Sequence, residues 1–416
     1  MYQFRTVTDR IARMRKRYRD TNFTLDAERT MIATEFHKAN KSLPAPLFKA
    51  QLQLEVCSRM TVRVEDDELI VGNLGKNYKG TTLWPEYSGM AWLFQELDDG
   101  SFYTRKQQDE PMNLPEEEKA LILSVRDYWT ENTLWTGMAA CYPDGTDAII
   151  DAGVLNIGQG GRGRVVATGH LIPNYGRVIE KGFGVVRQEA LEGLSHWKGF
   201  DNTETDPEKY YFYKSIEITC DAYITLARRY AAACREKAVK TETDGRRLEL
   251  LSMADSLDWI AEKPARTFRE AVQATYLYQL FLWIDGNYQP CSFGRFDQYT
   301  YPCLKRDLEA GTLTLEQAQE IVDCFWLKVG CLFNARLRYT ARVTGAYSTF
   351  QHLTLGGCDR NGEDATNPIT YMGLEAAARL QLHEPPVSLR VGRRTPDTLY
   401  ACAIESSKRA GGVPCF

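Results

Sequence analysis

Apolar positions in the first part of the chain recur at helical spacing. Residues 1–60 predict helices, and residues 24–40 (TLDAERTMIATEFHKAN) carry this spacing clearly. The next segment, TVRVEDDELIVGN (61–73), predicts a strand and a turn, and AIIDAGVLNI (148–157) predicts a buried strand. Pro115 followed by three glutamates predicts a helix start. From Tyr210 to Lys237 the apolar spacing persists and predicts one long helix that faces a core.

Beyond Pro264 the pattern alternates between helices and strands. The predicted order is a helix over 265–284, a turn at 285–287, a polar strand over SFGRFDQY, and a helix from Thr314 whose Thr314-x-x-Gln317 is a capping box. Strands at 350–357 and 387–392 and a helix over 395–412 complete it. This alternation predicts an α/β fold, a parallel or mixed barrel, behind a helical N-terminal region.

Composition limits the class of protein. The 416 residues include 44% hydrophobic and 25% charged residues, a globular balance that excludes a disordered chain. A net charge of −4 argues against nucleic-acid or membrane-surface binding. No run of about 18 apolar residues predicts a membrane span, and the basic N-terminus has no signal core, so a cytoplasmic location is expected. Eleven cysteines without a CxxC pair predict reduced thiols rather than a zinc or disulfide framework.

GQGGRG (158–163) matches the dinucleotide-binding pattern GxGxxG. The residues that follow, RVVATGHLIPNY, are β-branched or contain Pro173, and they oppose the helix that would hold a pyrophosphate. A loop that brings Arg162, Arg164 and His170 to an anionic ligand is a second interpretation, because glycine allows close backbone approach and arginine binds oxyanions bidentately. A surface turn with solvated arginines is a third.

Asp285, Tyr347 and Phe350 are further candidates, each with a structural alternative. Asp285 ends a strongly apolar segment, so it either binds a polar partner such as a substrate or opens an ordinary turn. Period-2 alternation puts Phe350 and His352 on one face of a strand and Gln351 on the other. Aromatic residues here are usually core, and the alternative is the wall of a substrate site. The five histidines share no ligand spacing, so no metal site is predicted.

Several segments in order resemble the glycyl radical enzymes, in particular the pyruvate formate-lyase-like dehydratases, lyases and decarboxylases. These segments are DELIVGN (67–73), GHLIPNY (169–175), PARTFREAVQA (264–274), SFGRFDQYTYP (292–302), FQHLTLGG (350–357) with DATNPITY (364–371), and SLRV with TPD (388–397). The resemblance covers nearly the whole chain, so residues 1–416 are interpreted as the N-terminal part of a pyruvate formate-lyase-type domain.

The resemblance implies a ten-stranded barrel made of two five-stranded halves inside a helical shell, of which this chain supplies the first half. It also implies a thiyl cysteine, a glutamate base and a glycyl radical that a radical-SAM activating enzyme installs. The sequence contains neither a GCVE-like nor an RVxGY-like segment. We therefore expect no catalytic residue, no glycyl radical domain and no bound cofactor within this chain, which should be inactive alone. Its expected partners are a small substrate, the activating enzyme, the C-terminal half and a second copy in a homodimer.

Site residues follow from the resemblance one by one. His170 matches a histidine near the substrate, Asp285 matches an acidic position that commonly faces the substrate, and Arg162 lies close to positions that contact anionic substrates. Gln289 and Pro290 stand where diol dehydratases of the family carry His-Ser, which puts glycerol or propanediol in doubt. Cys415, in AGGVPCF, precedes the thiyl position and is not given that role.

The expected function is therefore part of a radical lyase that eliminates a C–O or other C–X group. A hydroxylated amino acid or a sulfonate is the expected substrate. Two alternatives stay open: a non-catalytic half-enzyme subunit that binds a ligand or partner, and an NAD-dependent oxidoreductase that uses GQGGRG. The codons after Phe416 would separate the first alternative from the radical enzyme.

Overall fold

A computed structural model describes residues 2–88, 90–154, 171–197, 206–286, 291–345 and 347–416 of the chain. Its first 154 residues are mostly helical, apart from two short strands, β1 and β2, that pair in parallel at Thr24–Leu25 and Gly80–Thr81. The α-helices of this part are α1 Asp9–Asp20, α2 Glu28–Ala39, α3 Ala45–Arg59, α4 Pro85–Ser88, α5 Ala91–Asp98, α6 Glu116–Ser124, α7 Arg126–Glu131, α8 Leu134–Ala139 and α9 Thr146–Asp151. Two 3₁₀ turns lie at Ser101–Thr104 and Gln107–Asp109.

The rest of the described chain alternates between helices and short parallel strand segments. Its two strands are β3 Leu353–Gly356 and β4 Val387–Arg390. Its helices are α10 Tyr175–Lys181, α11 Phe183–His196, α12 Pro207–Val239, α13 Asp244–Ile260, α14 Phe268–Asp285, α15 Phe296–Glu309, α16 Leu315–Gly330, α17 Arg338–Thr344, α18 Pro368–Leu380 and α19 Asp397–Arg409. Short strands separated by helices are the pattern of parallel sheets with βα crossovers.

Five chain segments lie side by side in parallel, in the order in which they occur in the sequence. Leu171 pairs with Cys291, and Gly294 pairs with Leu353 at the start of β3. β3 pairs with β4 over four residues, and Ser388 of β4 pairs with Cys415. The backbone N–H of Leu389 donates to Cys415 O at 2.8 Å, and the N–H of Cys415 donates to Val387 O at 3.0 Å. The described chain therefore forms a row of five parallel segments, the expected first half of a barrel.

The two faces of this row differ in chemistry. Leu353, Leu355, Val387 and Leu389 are buried against the helices, whereas Thr354 and Ser388 are only partly buried and Arg390 is exposed. Because successive side chains of a strand point to opposite faces, one face is apolar and the other is polar. We name the second one the polar face; it carries His352, Thr354, Ser388 and Arg390.

Helices α14 and α16 supply the core behind the strands. Fourteen of the eighteen residues of α14 are buried, including Phe268, Tyr276 and Trp283, which identifies it as an interior helix. α16 begins at the predicted capping box, in which the Thr314 Oγ accepts the Gln317 N–H and the Gln317 side chain accepts the Thr314 N–H. Helices α15 and α18 contact β3 directly, and α16 packs against α18 behind it. None of the described helices combines the length and the apolar character that a membrane crossing requires.

Two of the strand predictions in the N-terminal part are wrong. Residues 61–73 form no strand, because side chains take the backbone bonds that a neighbouring strand would make: Gln273 accepts the Val71 N–H at 2.8 Å and donates to Val71 O at 3.0 Å. The predicted buried strand at 148–157 contains the end of α9, where Ile149 is exposed, and residues 155–157 lie outside the described residues. Residues 24–25 are likewise a short strand rather than a helix.

The predicted polar strand over SFGRFDQY is also wrong beyond Gly294, because α15 begins at Phe296. Asp297 lies in the first turn of that helix and is fully buried. Its Oδ2 accepts the Gly356 N–H at 2.7 Å and the Thr370 hydroxyl at 2.6 Å. Asp297, which is one of the polar residues of the predicted strand, is thus an interior acceptor that joins α15 to the end of β3.

We expect the buried ion pair between Lys328 and Glu68 to dominate local stability. Their side chains are 6% and 2% exposed, so Glu68→Ala leaves an ammonium group buried without its counter-charge. The free energy of unfolding should fall by about 3–5 kcal/mol. Asp20→Ala, in the exposed Lys16–Asp20 pair, is the control and should change it by less than about 1 kcal/mol. Urea unfolding at neutral pH measures both, and equal small effects would contradict the prediction.

Asp26 makes the stability depend on pH. Its side chain is fully buried and accepts the backbone N–H groups of Glu28 and Lys76, and burial raises its pKa to about 7. A raised folded-state pKa means that its contribution to stability is present at low pH and is lost as the pH rises through about 7. We therefore compare the unfolding free energy of Asp26→Asn with that of the unchanged chain. The value for the variant minus the value for the unchanged chain should increase as the pH is raised from about 5 to about 8. Thermal unfolding at several pH values tests this, and a constant difference would refute it.

Candidate active site

Three of the six predicted substrate-binding residues lie outside the described residues. These are Arg162, His170 and Gln289, and GQGGRG at 158–163 lies there too. The other three, Asp285, Tyr347 and Phe350, are described. All six assignments stay predictions, and the geometry that follows concerns the described residues alone.

Asp285 is the last residue of α14, and Gly286 caps the helix. The Lys49 ammonium lies 2.9 Å from Asp285 Oδ1 and also donates to the Asp285 backbone oxygen at 2.8 Å. Arg29 donates to the same backbone oxygen at 3.3 Å. Pairing with a cation from α3 is how an acid can end so apolar a helix. Lys49 is the partner that the sequence analysis missed, because it lies more than 200 positions away in the chain.

Tyr347 and Phe350 belong to the segment that leads into β3. Both have left-handed backbone conformations, with φ of 59° and 54°. The Tyr347 hydroxyl donates to Pro111 O at 2.7 Å, and its ring contacts Phe23 and Phe333. Burial and the nearby Glu110 raise the pKa of Tyr347 to about 12, so the phenol is neutral. Phe350 is 41% exposed, which makes it the more accessible of the two rings.

His352 and Ser388 form a hydrogen-bonded pair on the polar face. His352 Nε2 lies 2.8 Å from Ser388 Oγ, across the boundary between β3 and β4. Burial lowers the pKa of His352, so the imidazole is neutral at pH 7. A neutral imidazole beside a hydroxyl can accept or donate a hydrogen bond to a small polar ligand. Period-2 alternation predicted that His352 shares a strand face with Phe350. That pattern was the signal in the sequence that could have identified His352 as a site residue.

Arg390 is a second residue of this face that the sequence analysis missed. It lies two positions after Ser388 on β4, so it points to the same face, and it is exposed. Cys415 pairs with Ser388 and therefore shares that face as well. A guanidinium on the same face as a neutral histidine and a hydroxyl suits a carboxylate or sulfonate, because arginine binds such groups through two parallel hydrogen bonds.

The thiols and acids of the described residues offer no metal centre. No group of three His, Cys, Asp or Glu side chains is close enough to hold an ion within the ranges that the structure describes. All eleven cysteines are free, and seven of them are buried, where burial raises the pKa of thiols such as Cys220 and Cys291 to about 12. The described residues of the polar face offer hydrogen-bonding groups that can bind and orient a small polar molecule.

Comparisons with known proteins agree with this architecture. The family model for pyruvate formate lyase-like proteins matches residues 6–416. The isethionate sulfite-lyase of Nitratidesulfovibrio vulgaris is 28% identical over 426 residues, covering 99% of this chain and 50% of that protein. The (2S)-3-sulfopropanediol dehydratase of Klebsiella oxytoca is 28% identical over 97% of this chain and 48% of its own length.

A solved structure concerned with 1,2-propanediol dehydration in Roseburia inulinivorans superposes with a TM-score of 0.90. It is 31% identical and is matched over 98% of this chain and 48% of its own. The chain thus spans about half the length of the relatives it matches. The five parallel segments, the order of the motifs and the match over nearly every residue lead to one conclusion: the chain belongs to the pyruvate formate lyase-like family of glycyl radical enzymes.

Proposed function

We propose that this chain is the substrate-binding N-terminal part of a glycyl radical lyase or dehydratase that acts on a small anionic molecule. The observation that carries the proposal is the polar face of the strand row, where His352 and Ser388 are hydrogen-bonded and Arg390 follows two positions further along β4. Such a face suits a small oxyanion better than an apolar ligand or a nucleic acid. The sequences of the sulfonate-processing relatives support the same substrate class.

The reaction that we propose is elimination of a C–O or other C–X group next to a carbon-centred radical. In this family the radical stored on a glycine supplies hydrogen abstraction, and residues 1–416 contain no RVxGY-like glycyl segment. The residues of this chain bind and orient the substrate. Arg162 and Arg390 would hold its anionic group, and Asp285 would accept a hydrogen bond from a hydroxyl or ammonium group. His170 and Gln289 would complete the polar contacts, with Tyr347 and Phe350 as the wall.

Asp285 can take this role only together with Lys49. The carboxylate is 19% exposed and already has a lysine 2.9 Å away, so a substrate hydroxyl would add to an existing ion pair. A carboxylate has about four lone-pair sites, which leaves room for such a second bond.

The substrate that we propose carries a sulfonate or a carboxylate. Isethionate and hydroxylated amino acids fit, because each combines an anionic group with a hydroxyl group. Gln289 and Pro290, in place of His-Ser, weigh against uncharged diols. The likeness to the structure concerned with propanediol dehydration supports the shared fold, since the choice of substrate depends on single side chains.

The partners that we propose follow from the same family. They are a C-terminal half-barrel, a radical-SAM activating enzyme and a second copy of the chain. The relatives support the first of these, because this chain matches only about half the length of each one.

Arginine variants test the anion-binding part of the proposal. Arg162→Ala and Arg390→Ala should each weaken isethionate binding about tenfold or more, because each removes a charge-assisted hydrogen bond worth about 1.5–3 kcal/mol. Glycerol should bind more weakly than isethionate to the unchanged chain. Calorimetric or NMR titration of the 416-residue chain gives the dissociation constants.

Arg394→Ala is the matched control. Arg394 follows β4, is exposed and pairs with Glu363 at the surface. Its removal should leave the isethionate dissociation constant unchanged. Two results would contradict the proposal. One is that the unchanged chain binds glycerol more tightly than isethionate, and the other is that all three arginine variants bind isethionate with the same affinity.

A further inference from the structure

The segment Tyr347–Gln351 holds an unusual backbone conformation. Tyr347 and Phe350 both have positive φ, which L-residues with a Cβ adopt at a cost of about 1–2 kcal/mol each. Two such residues within four positions require contacts that hold them in place. Those contacts come from side chains that lie elsewhere in the chain.

Glu384 makes the largest set of these contacts. Its side chain is fully buried, and its carboxylate accepts the backbone N–H groups of Thr349 at 2.7 Å, Phe350 at 2.8 Å and Gln351 at 3.0 Å. Three successive N–H groups that converge on one carboxylate form an anion-binding nest. Glu384 precedes β4, so this nest ties the segment to the next strand of the row.

Glu110 holds the other end of the segment. It is fully buried, and its Oε1 accepts the Tyr347 N–H at 2.6 Å. Arg336 forms a bidentate pair with Glu110, at 2.8 Å and 2.5 Å, and donates to Ser348 O at 2.6 Å. A carboxylate therefore holds the Tyr347 N–H, and a guanidinium holds the Ser348 carbonyl one residue further along the segment.

The side chain of Gln351 anchors the segment to the core. It is fully buried, donates to Thr349 Oγ1 at 2.8 Å and accepts from Gln279 Nε2 at 3.0 Å. The Tyr175 hydroxyl donates to Gln279 Oε1 at 2.5 Å, which links the segment through α14 to α10. Gln351 therefore points inward, whereas the neighbouring Phe350 is 41% exposed.

We propose that Glu384, assisted by Glu110, is a positioning residue that sets the direction in which Phe350 and Tyr347 face. Neither glutamate touches the ligand. Each acts by binding the backbone of the segment that carries the two rings. The use of those rings as a substrate wall rests on the function proposed above, whereas the way in which they are held does not.

The proposal requires a carboxylate at position 384 rather than a side chain of the same shape. Glutamine keeps one carbonyl oxygen, which can accept the Thr349 and Phe350 N–H groups. Its amide nitrogen then faces the Gln351 N–H, and two donors cannot bond to each other. Alanine removes all three acceptor contacts. The three residue types therefore form a graded series.

Hydrogen exchange of the 416-residue chain tests the proposal without any ligand. At about pH 8.5 the carboxyl, whose pKa burial raises to about 7, is ionised. In Glu384→Ala the amides of residues 349–351 should exchange about tenfold faster or more, and in Glu384→Gln the Gln351 amide should show the larger change. The exchange rates of the β3 and β4 amides should stay within about twofold of their values in the unchanged chain.

Glu118→Gln is the matched control. Glu118 is 5% exposed and accepts the Ala27 backbone N–H at 2.8 Å, far from the segment in sequence. It should leave residues 349–351 unchanged. A second readout uses p-cyanophenylalanine at position 350, whose nitrile stretching band reports the surroundings of the ring. The band should move in Glu384→Ala, move part of the way in Glu384→Gln and stay fixed in Glu118→Gln.

Three results would overturn the inference. One is unchanged exchange at residues 349–351 in both variants at position 384. Another is faster exchange spread evenly over β3 and β4, which indicates a general structural role. The third is a nitrile band that does not move. If Glu384→Ala does not fold, the Gln351 amide in Glu384→Gln decides the question. Failure of isethionate to bind would refute the proposed function and would leave these measurements valid.

Discussion

Parallel backbone pairing through β3 is the interaction on which the rest of this structure depends. The Thr354 N–H donates to Gly294 O at 2.8 Å on one side, and the Leu353 N–H donates to Pro386 O at 2.9 Å on the other. This pairing fixes the register, and a shift of one residue would exchange the two faces of the strand. Leu353 and Leu355 would then leave the core, and His352 and Thr354 would enter it. The position of the polar face is thus a consequence of the register.

Buried charge organises the surroundings of that face. Asp297 holds the end of β3 from α15, Glu384 holds the segment before it, and Lys49 pairs with the acid that ends α14. Burying such groups is costly unless they are bonded, and Asp297 Oδ2, the Glu384 carboxylate and the Lys49 ammonium each have a partner at hydrogen-bond distance. Rigid support by a surrounding shell is what a binding site needs to hold its side chains in a productive arrangement. The interior acids are therefore as much a part of the site as the residues at its surface.

Much of this could be predicted from local sequence, and the failures have a common cause. The long helix α12, the capping box of α16 and the strands around Leu353 and Val387 follow from periodicity and turn chemistry, which are local signals. Residues 61–73 and SFGRFDQY were predicted wrongly because their partners, Gln273 and the Gly356 amide, are distant in sequence. The same reason hid Lys49, Glu384 and the bond from His352 to Ser388. Family membership came from the motifs in order, and the match over residues 6–416 confirmed it.

Anaerobic turnover by the longer enzyme that we propose tests the substrate-binding role of this chain most directly. The chain would be expressed in frame with the codons that follow Phe416 and treated with its activating enzyme, and elimination from isethionate and from glycerol would be compared under the same conditions. The account predicts an organic radical signal in the electron paramagnetic resonance spectrum and a kcat/KM for the anionic substrate at least about tenfold higher than for glycerol, a difference of about 1.4 kcal/mol. A radical-loaded enzyme that turned over glycerol as well as or better than every anionic substrate offered would contradict it.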